Sequence, residues 1–124
     1  MLGAVYYKLC AINTGMIPKF TGRMMHGALF SLLNKREPEL AEAVHNIKGL
    51  KPFTVSELQF NTRTEKGNHY FIKKGERAGW RITALDKYLY LILAKFYPKT
   101  IIKIGDVSFI VTEIITDSGY CYKE

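Results

Sequence analysis

An imidazole and an ammonium stand six positions apart in this chain, at His45 and Lys51. Such a pair can cut RNA without a metal. A base must free the 2′-hydroxyl, an acid must protonate the departing 5′-oxygen, and a cation must sit near the phosphate. Histidine suits both proton transfers because its unperturbed pKa is about 6.5. Lysine suits the phosphate because it is a compact charge on a long stem. The spacing by itself is a loose pattern. A helix-terminal histidine bonding a carbonyl and a solvated lysine ahead of a strand would look the same. His26, between Arg23 and Gly27, is a second proton-transfer group, a phosphate contact, or a satisfied histidine at the edge of a core. His69, beside Tyr70, reads as an exposed loop residue.

A second constellation is basic. Lys66, Lys73, Lys74, Arg77 and Arg81 interleave with His69, Tyr70, Phe71 and Trp80. Such a mixture holds phosphates and stacks on unpaired bases. Arg23, Lys48, Lys73, Lys74, Arg77 and Arg81 are the candidate RNA contacts, while Trp80 fits a core better than a stacking platform. The totals agree: 18 Lys and Arg against 11 Asp and Glu give a net charge of +7 and a pI near 9.4. That surplus favours a polyanionic partner.

Other chemistries find little support. The three histidines and the distant Cys10 and Cys121 show no metal-ligand spacing, and phosphate-loop, dinucleotide and nucleophile-elbow motifs do not occur. No metal and no cofactor are expected. Two cysteines make no disulfide framework and suit a reducing cytoplasm. Met1 to Tyr7 lacks the pattern of a signal peptide. The most apolar run, Tyr88 to Ala94, is far shorter than the roughly 20 residues of a membrane span. A cytoplasmic protein without membrane contact is expected.

The elements that must position these groups follow from hydrophobic spacing. Ala4 to Asn13 alternates as a strand, and Asn13-Thr14-Gly15 and Pro18 break it. Thr21 can cap a helix to about Asn34, with Met25, Ala28, Leu29, Leu32 and Leu33 as its buried stripe and His26 and Phe30 at the stripe's edge. Pro38 starts a second helix with Leu40, Ala41 and Val44 inward, His45 pointing partly outward, and Gly49 as its stop. Phe53 to Asn61 is a strand, and Thr62 to Asn68 a polar connection. Tyr70 to Ile72 is a short strand, Lys73 to Gly79 a turn, and Trp80 to Ala84 a strand. Asp86 begins a helix to about Phe96 that buries Leu85, Leu89, Ile92 and Phe96, and Pro98 ends it. Thr100 to Ile104 and Val107 to Thr116 form a hairpin about Gly105-Asp106. The order is βαββαβ with an extra strand, an α+β domain with helices on one face of an antiparallel sheet.

Four stretches carry a family resemblance: Gly22 to Phe30, Pro38 to His45, Lys51 to Ser56, and Gly79 to Asp86 with the aliphatic helix after it. The ending, Ile104-Gly105 and Val107 to Ile115, also fits. In this order they resemble the N-terminal half of the CRISPR-associated endoribonuclease that processes precursor CRISPR RNA, a member of the repeat-associated RNA-binding superfamily. The resemblance implies a ferredoxin-like fold. It implies metal-independent cleavage of CRISPR repeat RNA to 2′,3′-cyclic phosphate and 5′-hydroxyl ends, with an interference effector complex as a further partner. It assigns proton transfer to His45 and phosphate support to Lys51. Where similar members carry a tyrosine on the first helix, this chain has Phe30, which lacks the hydroxyl and leaves His26 as a rival to His45. Members normally add a second ferredoxin-like domain with a glycine-rich loop, which is not found in these 124 residues. The expectation is one ferredoxin-like domain, 1–124, forming the N-terminal half of a two-domain protein. A non-catalytic RNA-binding scaffold of the same superfamily, and an oligomerisation module with incidental charge, stay open beside it.

Overall fold

A computed structural model describes residues 3–19, 21–47, 52–60, 64–95 and 100–116. The main sheet is built from β1 (Gly3–Ala11), β3 (Phe53–Val55), β4 (Gln59–Phe60), β7 (Arg77–Ala84), β8 (Ile101–Ile104) and β9 (Val107–Thr116). Its order is β3-β7-β1-β9-β8, with β4 also on β7, and every pairing is antiparallel. Two helices, α1 (Gly22–Arg36) and α2 (Pro38–His45), fall between β1 and β3, and α3 (Lys87–Ala94) follows β7. This is the ferredoxin-like arrangement, with β8 added at one edge. A small sheet of β2 (Gly15–Pro18), β6 (His69–Ile72) and β5 (Thr64–Lys66) stands beside it. Among the described residues no helix is long and apolar enough to cross a membrane.

Alternation in the central strands decides the faces. Val5, Tyr7, Leu9 and Ala11 are buried, while Tyr6, Lys8 and Cys10 between them are not. On β7, Ala78, Trp80, Ile82 and Ala84 turn the same way. The stripe Met25, Ala28, Leu29, Leu32 and Leu33 of α1 closes over them, and Leu89, Tyr90 and Leu93 of α3 complete the core. Asp86 caps α3 by accepting from the Leu89 N–H at 2.9 Å.

Several local expectations are corrected. Thr21 is buried and does not cap α1 with its side chain; its hydroxyl accepts from the Leu58 N–H at 3.1 Å instead. The strand expected from Phe53 onward is interrupted. From Val55↔Ile82 to Gln59↔Gly79 the edge strand advances four residues while β7 advances three. The Ser56 hydroxyl accepts from the Arg81 N–H at 3.0 Å and fills the gap, while Leu58 turns into the core. The break at 13–18 contains β2, where Pro18 is tolerated because the strand lies on a sheet edge. The polar connection contains β5, and His69 opens β6 instead of lying in a loop, though it stays exposed. Strand β7 begins at Arg77, inside the expected turn. Leu85 is exposed because it precedes the cap and lies outside the helical phase that buries Leu89 and Leu93. Gly49, Asn61, Phe96, Pro98 and Cys121 lie outside the described residues.

Tyr7 ties the sheet to α3. Its hydroxyl donates to the Leu93 carbonyl at 2.7 Å from a fully buried position. Burial pushes that hydroxyl well above the ordinary tyrosine pKa, because the phenolate would be desolvated. The folded state therefore keeps a proton that the unfolded chain gives up above about pH 10, so this contribution to stability is present below that pH and lost above it. Tyr7→Phe is expected to cost about 1 kcal/mol at neutral pH and to flatten part of the alkaline loss, measured by urea unfolding between neutrality and about pH 11.

Candidate functional site

The short helix α2 is held by Pro38 in its first turn and by Ala41 and Val44 buried against the core. Its last residue, His45, is exposed and meets Phe30 of α1 edge-on, with ring centroids 5.5 Å apart at 77°. Phe30 in turn meets Phe53 of β3 at 5.8 Å and 73°. Phe53 also contacts His26 at 5.3 Å. His26 and Phe30 are four residues apart on α1, so they share one side of that helix. The structure thus brings two of the sequence-nominated histidines to opposite ends of one pair of phenylalanines. Phe53 is buried and anchors the set, with the two Phe30 contacts edge-on and the His26 ring tilted at 45° to Phe53.

A groove of about 630 Å³ runs between α1 and α2 past His45, with Phe30, Pro38 and Ala41 as its apolar lining. Glu39 and Glu42 line it too, and among the described residues no lysine or arginine does. These carboxylates follow from the exposed positions of an amphipathic helix, a signal present in the sequence but passed over there. A phosphate beside His45 therefore needs its cation from outside this lining. Lys51 directly precedes Pro52 and Phe53 in sequence, but Lys48 and Lys51 lie outside the described residues. Among the described residues no three His, Cys, Asp or Glu side chains gather as metal ligands.

The basic candidates do not form one surface. Arg23 is exposed on α1, one turn before His26. Lys73 and Lys74 lie in the turn before β7, and Arg77 starts that strand, whereas Phe53 pairs with Ala84 at its end. Seven residues of strand separate Arg77 from Ala84, roughly 23 Å at about 3.3 Å per residue. Arg81 is exposed on the side of the sheet away from the helices. Trp80 is fully buried and offers no platform. Of the aromatics around the hairpin, Phe71 lies 5.0 Å from the Lys66 ammonium, and Tyr70 meets Phe60 at 6.2 Å.

Residues 8–119 match the model of the CRISPR Cas6 N-terminal domain. The chain belongs to that family. Its fold is shared with a solved protein described as an RAMP protein binding different RNA substrates, at 18% identity and a TM-score of 0.73, covering 93% of this chain and 48% of that one. A CRISPR associated protein Cas6 matches at 18% identity and a TM-score of 0.66, over 94% of this chain and 49% of the other. A Cas6 product complex matches at 24% and 0.61, over 93% and 40%. This Cas6 domain thus spans half or less of the solved chains it resembles. No curated protein sequence matches it.

The aromatic anchor and the histidines should respond differently to truncation. Phe53→Ala is expected to cost about 3–5 kcal/mol by opening a buried cavity. His26→Ala, at an exposed position, should stay within about 0.5 kcal/mol of wild type. Urea unfolding of both variants measures the contrast.

Proposed function

We propose that this Cas6 domain is the N-terminal, catalytic half of a metal-independent endoribonuclease that cuts CRISPR repeat RNA. The observation that carries this reading is the meeting of His45 and His26 on Phe30 and Phe53, beside an open groove. His45 takes the proton from the 2′-hydroxyl. The freed oxygen attacks phosphorus, a 2′-oxygen–phosphorus bond forms, and the bond to the 5′-oxygen breaks. An imidazolium, assigned here to His26, returns a proton to the leaving oxygen. Lys51 steadies the charge on the phosphoryl oxygens. The products are a 2′,3′-cyclic phosphate and a 5′-hydroxyl. The matured RNA passes to an interference effector complex, and the whole process belongs in the cytoplasm. Arg23, Lys48, Lys73, Lys74, Arg77 and Arg81 contribute phosphate contacts along a strand longer than the groove.

A second reading has its own support. Phe30 lacks a hydroxyl, and Glu39 and Glu42 put negative charge where a phosphate would sit. Both features suit a scaffold domain that holds repeat RNA without cutting it. Incubation of the cognate repeat RNA with the protein in EDTA separates the two. The nuclease reading expects one cut per repeat with a cyclic phosphate end, slowed roughly 10²–10⁴-fold in His45→Ala with little change in RNA affinity. Salt-sensitive binding with an intact RNA would establish the scaffold and remove the nuclease.

A further inference from the structure

We propose that the groove between α1 and α2 is a base pocket, in which the Glu42 carboxylate reads a guanine on the 5′ side of the scissile phosphate. This rests on the nuclease reading and adds which nucleotide the groove accepts.

The helix pair sets the order of groups along the groove. Glu37 alone joins α1 to α2, and the Phe30 ring meets His45 with centroids 5.5 Å apart. The helices therefore run past each other in opposite directions, with Asn34 near the start of α2 and Phe30 near its end. Glu39, Glu42 and His45 follow at intervals of three residues, so they share one side of α2 at steps of about 4.5 Å along its axis. One end of the groove holds the imidazole, and the other holds the carboxylates and the Asn34 amide. A nucleotide has the same polarity. Its ribose hydroxyl lies at one end and the hydrogen-bonding edge of its base at the other.

Electrostatics and donor count choose the base. Carboxylates beside the apolar walls of Phe30 and Ala41 repel a phosphate, so RNA enters this groove with a base. Glu39, Glu42 and Asn34 make no ion pair or side-chain hydrogen bond among the described residues. An ionised carboxylate only accepts, so it needs donors. On its pairing edge guanine presents two N–H donors side by side, at N1 and N2, which match the two oxygens of one carboxylate. Adenine and cytosine set a lone-pair nitrogen beside their amino group, and uracil flanks its one N–H with carbonyls. Each of these three turns an acceptor toward a carboxylate oxygen. Guanine O6, beside N1, accepts from the Asn34 amide, and the Phe30 ring supplies an aromatic wall for the base.

Gly27 opens the α1 side of the groove. Glycine inside a helix weakens it relative to alanine, and its uses are a positive φ or a close approach. Among the described residues the positive-φ glycines are Gly67, Gly75 and Gly105, and a Cβ at position 27 would meet nothing within 4 Å. Neither backbone conformation nor internal packing calls for glycine there. The missing side chain leaves the helix backbone open to a ribose and a flat ring. The groove's volume of about 630 Å³ lies within the range of small-ligand sites, about 300–1,000 Å³.

The test uses the full chain, with cognate repeat RNA in EDTA and with dinucleotides carrying a 5′ deoxynucleoside, which bind without being cut. The mapped cut should follow a guanosine. Adenosine at that position should lower kcat/KM roughly 5- to 150-fold, and inosine, which lacks only the 2-amino group, should fall between the two. Glu42→Gln turns one acceptor into a donor and should equalise guanosine and inosine. The deoxyguanosine dinucleotide should shift the His45 imidazole proton resonance at lower concentration than its deoxyinosine counterpart, and Glu42→Gln should abolish that difference. Gly27→Leu should fold as well as wild type and lose the shift, because the leucine fills the groove. A cut after any other base overturns the pocket. So does a guanosine–inosine difference that survives in Glu42→Gln, or equal shifts with all four bases, the result expected if a protein segment fills the groove. Guanine-selective shifts that vanish in Glu42→Gln, with no cleavage by wild type, keep the pocket and remove the nuclease. Cleavage with an indifferent Glu42→Gln does the reverse.

Discussion

The inward packing of Val5, Tyr7, Leu9 and Ala11 against Trp80, Ile82 and the buried residues of α1 and α3 is the constraint on which the rest of the molecule depends. A strand has a side-chain period of two, so a slip of one residue would send Tyr6, Lys8 and Cys10 into the core and Tyr7 into water. Burial of the aromatic pair Tyr7 and Trp80, 5.8 Å apart, makes that slip prohibitive. Once β1 and β7 are phased, each functional group has its side assigned. Phe53 must face α1 because it pairs with Ala84, whose neighbours Ile82 and Trp80 already face inward. His26 meets Phe53 directly and His45 meets it through Phe30, and the cations of the central strands are left on the opposite surface.

Charge is distributed with the same division. The chain carries a surplus of seven positive charges, yet among the described residues the groove at His45 is lined by two carboxylates and no cation. Exposed glutamates on α2 solvate a short helix and favour its N-terminal half through the backbone dipole.

Family membership bounds this picture. The Cas6 domain spans half or less of the solved chains that share its fold. Among the described residues the long inner side chains are fully buried, and the Thr21 hydroxyl and backbone N–H are both paired.

The α1 stripe, the Asp86 cap, the Gly105-Asp106 hairpin and the βαββαβ order were legible in the sequence, because each rests on contacts between residues close in the chain or on a simple period. Thr21, Ser56 and β2 were not, since a hydroxyl spent on a distant N–H and an edge strand paired across half the chain leave no local pattern. The same division holds at the site. Residue chemistry alone nominated His26, His45, Lys51 and the basic set. Only packing showed that the two histidines share Phe30 and Phe53, that Glu39 and Glu42 stand beside them, and that Arg77 and Arg81 belong to another face. Side-chain type is written in the chain, but proximity between residues far apart in sequence comes into being when strands pair and helices close over them.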